Sequence, residues 1–302
     1  MAVGYLSAPA GTLSGRVGRT VALLGRRGYA LPISRLADLC IGGRVSEDDV
    51  RWAVAADPDL TTAGGLVVER NAVTRAGEIS SRARDHALQS AAYLEMTATF
   101  VRRLVVIAPF IRSVSIAGSL ASGGFRDSDD VDLNLIVDDG MRHAAYVVLN
   151  ILGTLHALSH RGKPVDDLTR RPLAPRLMTA NLVLERSQCR PLLRQDEDMA
   201  FELLVAEPLF GLDEIHEVVD RNPHLLEHFP QLAMKSAPRL IETPRRRLPK
   251  ALFPAIVDLP ARWLGESAWR YMQWTRRHRP EALARVAYVR ATMRPYTLFD
   301  TW

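Results

Sequence analysis

Two short stretches near the middle of the chain carry residue types whose spacing suits phosphate chemistry. The run Ser113-Val114-Ser115-Ile116-Ala117 ends in Gly118-Ser119, and eleven residues beyond Ser119 begins Asp130-Val131-Asp132-Leu133-Asn134-Leu135-Ile136-Val137. The first stretch alternates polar and apolar residues as a strand does, and a glycine at its end lets the backbone pass close to a phosphate because it carries no Cβ. Ser119 then opens a short helical piece, where a backbone N–H and a hydroxyl can both face a phosphate. In the second stretch, positions i and i+2 of a strand share a face, so Asp130 and Asp132 project together while Val131, Leu133 and Leu135 enter the core. Two carboxylates so close repel each other unless a cation lies between them, and oxygen-only ligands select Mg²⁺ or Mn²⁺. Either half alone is commonplace, a helix cap or a solvated strand end. The conjunction of strand, Gly-Ser turn, polar loop and acidic strand is the smallest apparatus that could move a nucleotide from its triphosphate.

The elements around these residues read as three segments behind a flexible start at 1–15. Over 16–75 the pattern gives helices at Thr20 to Arg27, Ile33 to Cys40 and Ser46 to Ala56, then β-prone runs on either side of Gly64-Gly65. Ser46 with Asp49 three residues on is a plausible N-terminal cap pair. Three helices and a two-stranded hairpin resemble a winged-helix domain. A DNA-reading third helix needs basic or amide side chains at its start, yet this one begins Ser46-Glu47-Asp48-Asp49, so a scaffold or protein-contact role is favoured and DNA is not an expected partner. A linking helix is expected over 76–109, ended by Pro109. The catalytic core is placed at 110–213, with a helix at Met141 to His160 and a strand at Leu177 to Glu185. A basic helical segment is placed at 214–302.

Composition agrees with a globular protein. The chain has 302 residues, 47% of them hydrophobic, which is enough for two or three domains. No apolar stretch reaches the roughly 18 residues of a membrane span, and the N-terminus does not read as a secretory signal. Cys40 and Cys189 stand far apart, so neither a disulfide framework nor a zinc site is expected, and a cytoplasmic location fits. The net charge of +5 is uneven: from Met234 onward fourteen Lys or Arg face five Asp or Glu, a surplus of +9, which leaves −4 for the rest. Such a basic segment attracts polyanions.

Gly118-Ser119 followed by a loop and Asp129-Asp130-Val131-Asp132-Leu133 resembles the signature of the DNA polymerase β-like nucleotidyltransferases. The likeness spans about 16–230 and is similar to bacterial members with an N-terminal winged-helix-like domain. The resemblance implies an α+β fold, a nucleotidyltransferase core with a small mixed sheet and helices, flanked by the winged-helix-like and C-terminal helical domains. It also implies Ser119 on the triphosphate of an NTP substrate and Asp130 and Asp132 as catalytic ligands of Mg²⁺ or Mn²⁺. Members often carry a third carboxylate on a later strand. Thr179, Asn181, Val183 and Glu185 are expected to share a face there, so Asn181 holds the central spot and could bind a ribose or water but cannot take a proton. Glu185, Asp166 and Asp167 are the remaining acidic candidates, each also readable as a surface residue.

Other positions are weighed beside these. Arg126 could reach a γ-phosphate, though loop arginines are usually solvated. Arg142 and His143 open the helix after the acidic strand and are read as ordinary helix-start residues. Trp263, Trp269, Tyr271 and Trp274 lie among arginines, and helix core explains them more simply than base stacking does. The expected activity is NMP transfer to a hydroxyl or phosphate of an acceptor, with release of pyrophosphate. A small molecule is placed ahead of an RNA (tRNA) end as acceptor, because the basic segment holds many apolar residues. A winged-helix DNA-binding regulator with an inactive core is the second alternative.

Overall fold

The computed structural model describes residues 11–160, 162–164 and 177–299. Asp166 and Asp167 lie outside them. The chain folds into α1 (Leu13–Arg26), α2 (Ile33–Asp38), α3 (Glu47–Ala56), β1 (Leu60–Ala63), β2 (Leu66–Glu69), α4 (Ala76–Ile107), β3 (Ile111–Ala117), α5 (Gly118–Ser122) and β4 (Val131–Val137). There follow α6 (Arg142–Leu158), β5 (Met178–Glu185), α7 (Glu197–Val205), β6 (Glu207–Phe210), α8 (Leu212–Arg221), α9 (His224–His228), α10 (Asp258–Arg276) and α11 (Pro280–Met293). It is an α+β fold with a small mixed sheet and many helices.

The first unit forms the expected three helices and hairpin, but α1 begins at Leu13, seven residues before the expected Thr20 and inside the stretch 1–15 expected to be flexible, because Thr12 caps it by accepting from the Gly15 N–H and Val17 is buried. Ser46 and Asp49 exchange both bonds of a capping box at the start of α3, an aspartate serving where Glu or Gln is usual. Arg51 folds back onto Glu47 and Asp48, so the first turn of α3 is acidic and internally paired. β1 and β2 pair antiparallel with Gly64-Gly65 as the two-residue turn. From there α4 runs for 32 residues, about 48 Å at 1.5 Å per residue, and delivers the chain to β3.

The second sheet has the order β5-β4-β3-β6, with β4 parallel to β5 and the other neighbours antiparallel. Val131, Leu133, Leu135 and Val137 of β4 are buried and point with Val114, Ile116 and Val183 into a core closed by Phe100, Val101 and Leu104 of α4 and by Ala145 and Leu149 of α6. The other face, with Ile136, Leu182 and Leu184, belongs to a second core. That core is shared: Val17 and Leu24 of α1 and Leu36 of α2 lie in it together with Phe201 of α7, Val218 of α8 and Phe229. The N-terminal helices and residues 189–232 therefore bury one continuous apolar volume, although they are far apart in sequence.

α10 lies against α6. Asp258, its first residue, accepts hydrogen bonds from the Ala144 N–H at 2.8 Å and pairs with His143 Nδ1 at 2.7 Å, so one carboxylate ties both helix starts together. The expectation that the aromatics of this segment are core residues fails for three of four. Trp263, Tyr271 and Trp274 are 72%, 65% and 55% exposed, because the buried face of α10 is taken by Ala261, Gln273 and the close approach of Gly265 to Phe299 and Tyr146. Trp269 packs against Phe299.

Candidate functional site

Gly118 sits at the end of β3 with φ +60, a left-handed conformation that L side chains rarely adopt. Ala117 pairs with Asp132 across the β3/β4 ladder, which brings the acidic strand alongside this bend. A Cβ placed on Gly118 would fall 2.2 Å from Asp132 Oδ2, well inside contact distance. The missing side chain is thus what gives the Asp132 carboxylate its place. Its other oxygen, Oδ1, accepts from Thr179 Oγ1 at 2.9 Å, so Oδ2 is aimed at the bend by a neighbouring strand. Asp130 immediately precedes β4, two positions from Asp132; both are half-buried, and Val131 between them is fully buried.

The bend is braced from outside its own segment. Ser122 Oγ donates to the Gly118 carbonyl at 2.8 Å, and Tyr29, from the loop between α1 and α2, lies close by. The Tyr29 ring lies so close to Gly124 that a Cβ there would be 2.8 Å from its Cε1. Burial pushes the Tyr29 hydroxyl above its ordinary pKa, with the Asp132 and Glu202 carboxylates adding to the shift, so the phenol stays neutral. The polar loop is fastened to α4: Arg82 bonds the Gly124 carbonyl at 3.2 Å and Asp129 Oδ2 at 3.1 Å, and Tyr93 bonds Asp127. Asp127 and Asp129 are therefore occupied in holding the loop.

Along the same face of the sheet runs a polar network. Asn181 Nδ2 donates to Asn134 Oδ1 at 2.8 Å, and both amides donate to Glu202 Oε1, at 3.1 Å from Asn134 and 2.9 Å from Asn181. Glu202 Oε2 meets Arg27 at 3.0 Å, and Arg27 also bonds the Asp198 carbonyl at 2.9 Å. Burial opposes the charge on Arg27, and the facing carboxylates of Glu202 and Asp198 outweigh it, so its pKa lies above the ordinary value. Glu202 is the acidic residue on this face that the sequence reading passed over. Its signal was present: it is the one charged residue in the otherwise apolar run Met199-Ala200-Phe201-Glu202-Leu203-Leu204.

The expected face of β5 is corrected at Asn181. Leu133 pairs with Ala180 but Asn134 pairs with Leu182, so Asn181 is the extra residue of a β-bulge. Period two restarts beyond it: Val183 enters the α4/α6 core, and Glu185, two further, leaves the Asp132 face. Glu185 Oε1 instead accepts from the Gly140 N–H at 3.1 Å, and its register partner is Val137, five positions along β4 from Asp132, about 17 Å at 3.3 Å per residue. Arg126 faces α4. Its guanidinium lies 3.8 Å from Asp85 and 3.9 Å from Glu78, both on α4. Arg142 bonds the Val183 and Tyr296 carbonyls, while His143 faces Asp258, so neither lies on the Asp132 face.

The donor set suits a hard cation. Asp132 Oδ2 and Asp130, two positions before it in the chain, would supply carboxylate oxygens, with Ser119 following the bend and Thr179 across the ladder as the nearby hydroxyl residues. Two carboxylates with the remaining positions left to water and phosphate oxygens is how Mg²⁺ is commonly held. Among the described residues no group of three or more His, Cys, Asp or Glu forms a fuller cage, and no helix is long and apolar enough to cross a membrane. Comparison with family models, with curated proteins and with solved structures finds no match.

Proposed function

We propose that the protein is a nucleotidyltransferase of the DNA polymerase β-like kind, moving a nucleoside monophosphate from an NTP to a hydroxyl or phosphate of an acceptor and leaving pyrophosphate. The observation that carries this reading is the Asp132 carboxylate lying against Gly118, with Oδ2 turned toward the bend that Ser119 follows. Gly118 and Ser119 would receive the β and γ phosphates on backbone N–H groups and a hydroxyl. Asp130 and Asp132 would hold Mg²⁺, which when bound would neutralise phosphate charge and lower the pKa of the acceptor oxygen. Thr179 keeps the Asp132 carboxylate oriented, and the Ser122 bond to the Gly118 carbonyl keeps the bend in shape, so little reorganisation is needed when substrate arrives.

Glu202 differs from Asp132 in its partners. Held by Arg27 and two asparagine amides, it supports the sheet face as a paired carboxylate. The test is incubation with each of four α-labelled NTPs, Mg²⁺ and a cell extract. Labelling of one extract fraction by at least one NTP is the expected result; no incorporation from any NTP, with the protein folded, would end the proposal.

A further inference from the structure

The outer face of α10 is an anomaly for a free surface. Leu259, Trp263, Arg270, Trp274 and Arg277 fall within about 60° of arc at 100° per residue, and over about 27 Å of helix. Leu259 and Trp263 are 67% and 72% exposed, and Tyr271 flanks the stripe at 65%. Tyr271 stacks with Trp274 at 6.1 Å and an interplanar angle of 24°, and the Arg277 guanidinium lies over Trp274 at 4.0 Å. Leaving such large apolar surfaces in water forgoes the energy of burying them, and aromatic and arginine side chains gathered in this way mark a binding surface.

Charge decides the occupant. Residues 258–299 carry eight Arg against three Asp or Glu, a surplus of +5 equal to the net charge of the entire chain. A base-stacking polyanion satisfies both features, since rings and guanidinium planes stack on bases of any sequence while arginines neutralise the phosphates. A bilayer surface is a poorer match, because Glu266 and Arg270 pair across the middle of the helix at 2.6 Å and Ser267 interrupts the apolar row.

We infer that the exposed face of α10, built on Trp263, Tyr271, Trp274 and Arg277, is a docking surface for single-stranded RNA. The inference stands apart from the transferase reading, because docking is measured without catalysis.

The experiment is fluorescence anisotropy of the full chain with a short labelled single-stranded RNA of mixed sequence. Four proteins are compared: wild type, Trp263→Ala/Trp274→Ala, Asp132→Asn, and Trp52→Ala as a control at an equally exposed tryptophan on α3. Wild type binds, with affinity falling steeply between about 50 and 200 mM salt. The double variant binds at least ten-fold more weakly, while Trp52→Ala and Asp132→Asn bind as wild type does. Absence of RNA binding by wild type, or binding unchanged in the double variant, overturns the inference. So does concentration-dependent self-association, or adsorption to anionic vesicles, that the double variant abolishes while RNA binding is untouched.

Discussion

Gly118 is the residue at which backbone conformation and chemistry meet. Replacing it with alanine forces a left-handed backbone on an L residue, at about 1–2 kcal/mol, and pushes a methyl group into Asp132 Oδ2. Gly118→Ala should therefore lose stability in denaturant unfolding and lose transfer by ten-fold or more, whereas Gly123→Ala, also left-handed but with open space around it, should lose stability alone. Lys235 offers a test by pH. Burial lowers its pKa to about 8, partly opposed by Glu207, while its ammonium bonds the Leu204 carbonyl. The unfolded chain keeps that proton up to its ordinary value of 10.5, so between about 8 and 10.5 the unfolded state binds more protons and folding stability rises with pH. The penalty is fully present below about 8. Lys235→Met should remove this rise, seen as a stability difference from wild type that changes across that window and is flat below it.

At the scale of elements, the tie between α1 and α7 is open to measurement. Arg27 and Glu202 are both largely buried, and removing the cation leaves an unpaired buried carboxylate. Arg27→Met should cost about 3–5 kcal/mol, with Arg27→Met/Glu202→Gln less destabilised than the single variant. Asp258 couples α6 to α10. Burial would raise its pKa, but the bonds from His143 and the Ala144 N–H prevail and hold it below the ordinary 3.8. A carboxylate so lowered stabilises the fold above that value and loses its contribution as pH falls through the range below about 4. Asp258→Asn should flatten acid unfolding in that range.

Which elements were legible follows from how each is stabilised. The helices of the first unit, the Gly64-Gly65 hairpin, β3, the acidic β4, α6 and β5 all show in apolar spacing and turn residues, because each buries one face. The bulge at Asn181 was not legible, since a single extra residue leaves no mark in a polar-apolar alternation until its partner strand is known. β6 was missed because Glu207-Pro208-Leu209-Phe210 is short and contains a proline, which an edge strand tolerates but a pattern search rejects. The tryptophans of α10 were misread for the reverse reason: helical spacing shows that residues share a face, not whether anything covers it. Within the site, Asp130, Asp132, Gly118 and Ser119 were visible in sequence. Tyr29, Arg27 and Glu202 were not, because they come from elements a hundred residues or so away on either side.

For the whole molecule, the shared core joining α1 and α2 to α7, α8 and α9 makes the N-terminal unit part of the wall behind the sheet, and it sends Tyr29 to the bend. The acidic start of α3 lies in this same N-terminal unit. The basic surplus belongs instead to the segment that carries α10 and α11, remote in sequence from the acidic strand. The most direct test of the central claim, that Asp130 and Asp132 beside the Gly118 bend transfer a nucleotide, uses one NTP labelled at either its α or its γ phosphate. Wild type should pass the α label to acceptor and release the γ label in pyrophosphate, with both activities lost in Asp130→Ala and Asp132→Ala. Transfer of the γ label, or full α-label transfer by either variant, would contradict it.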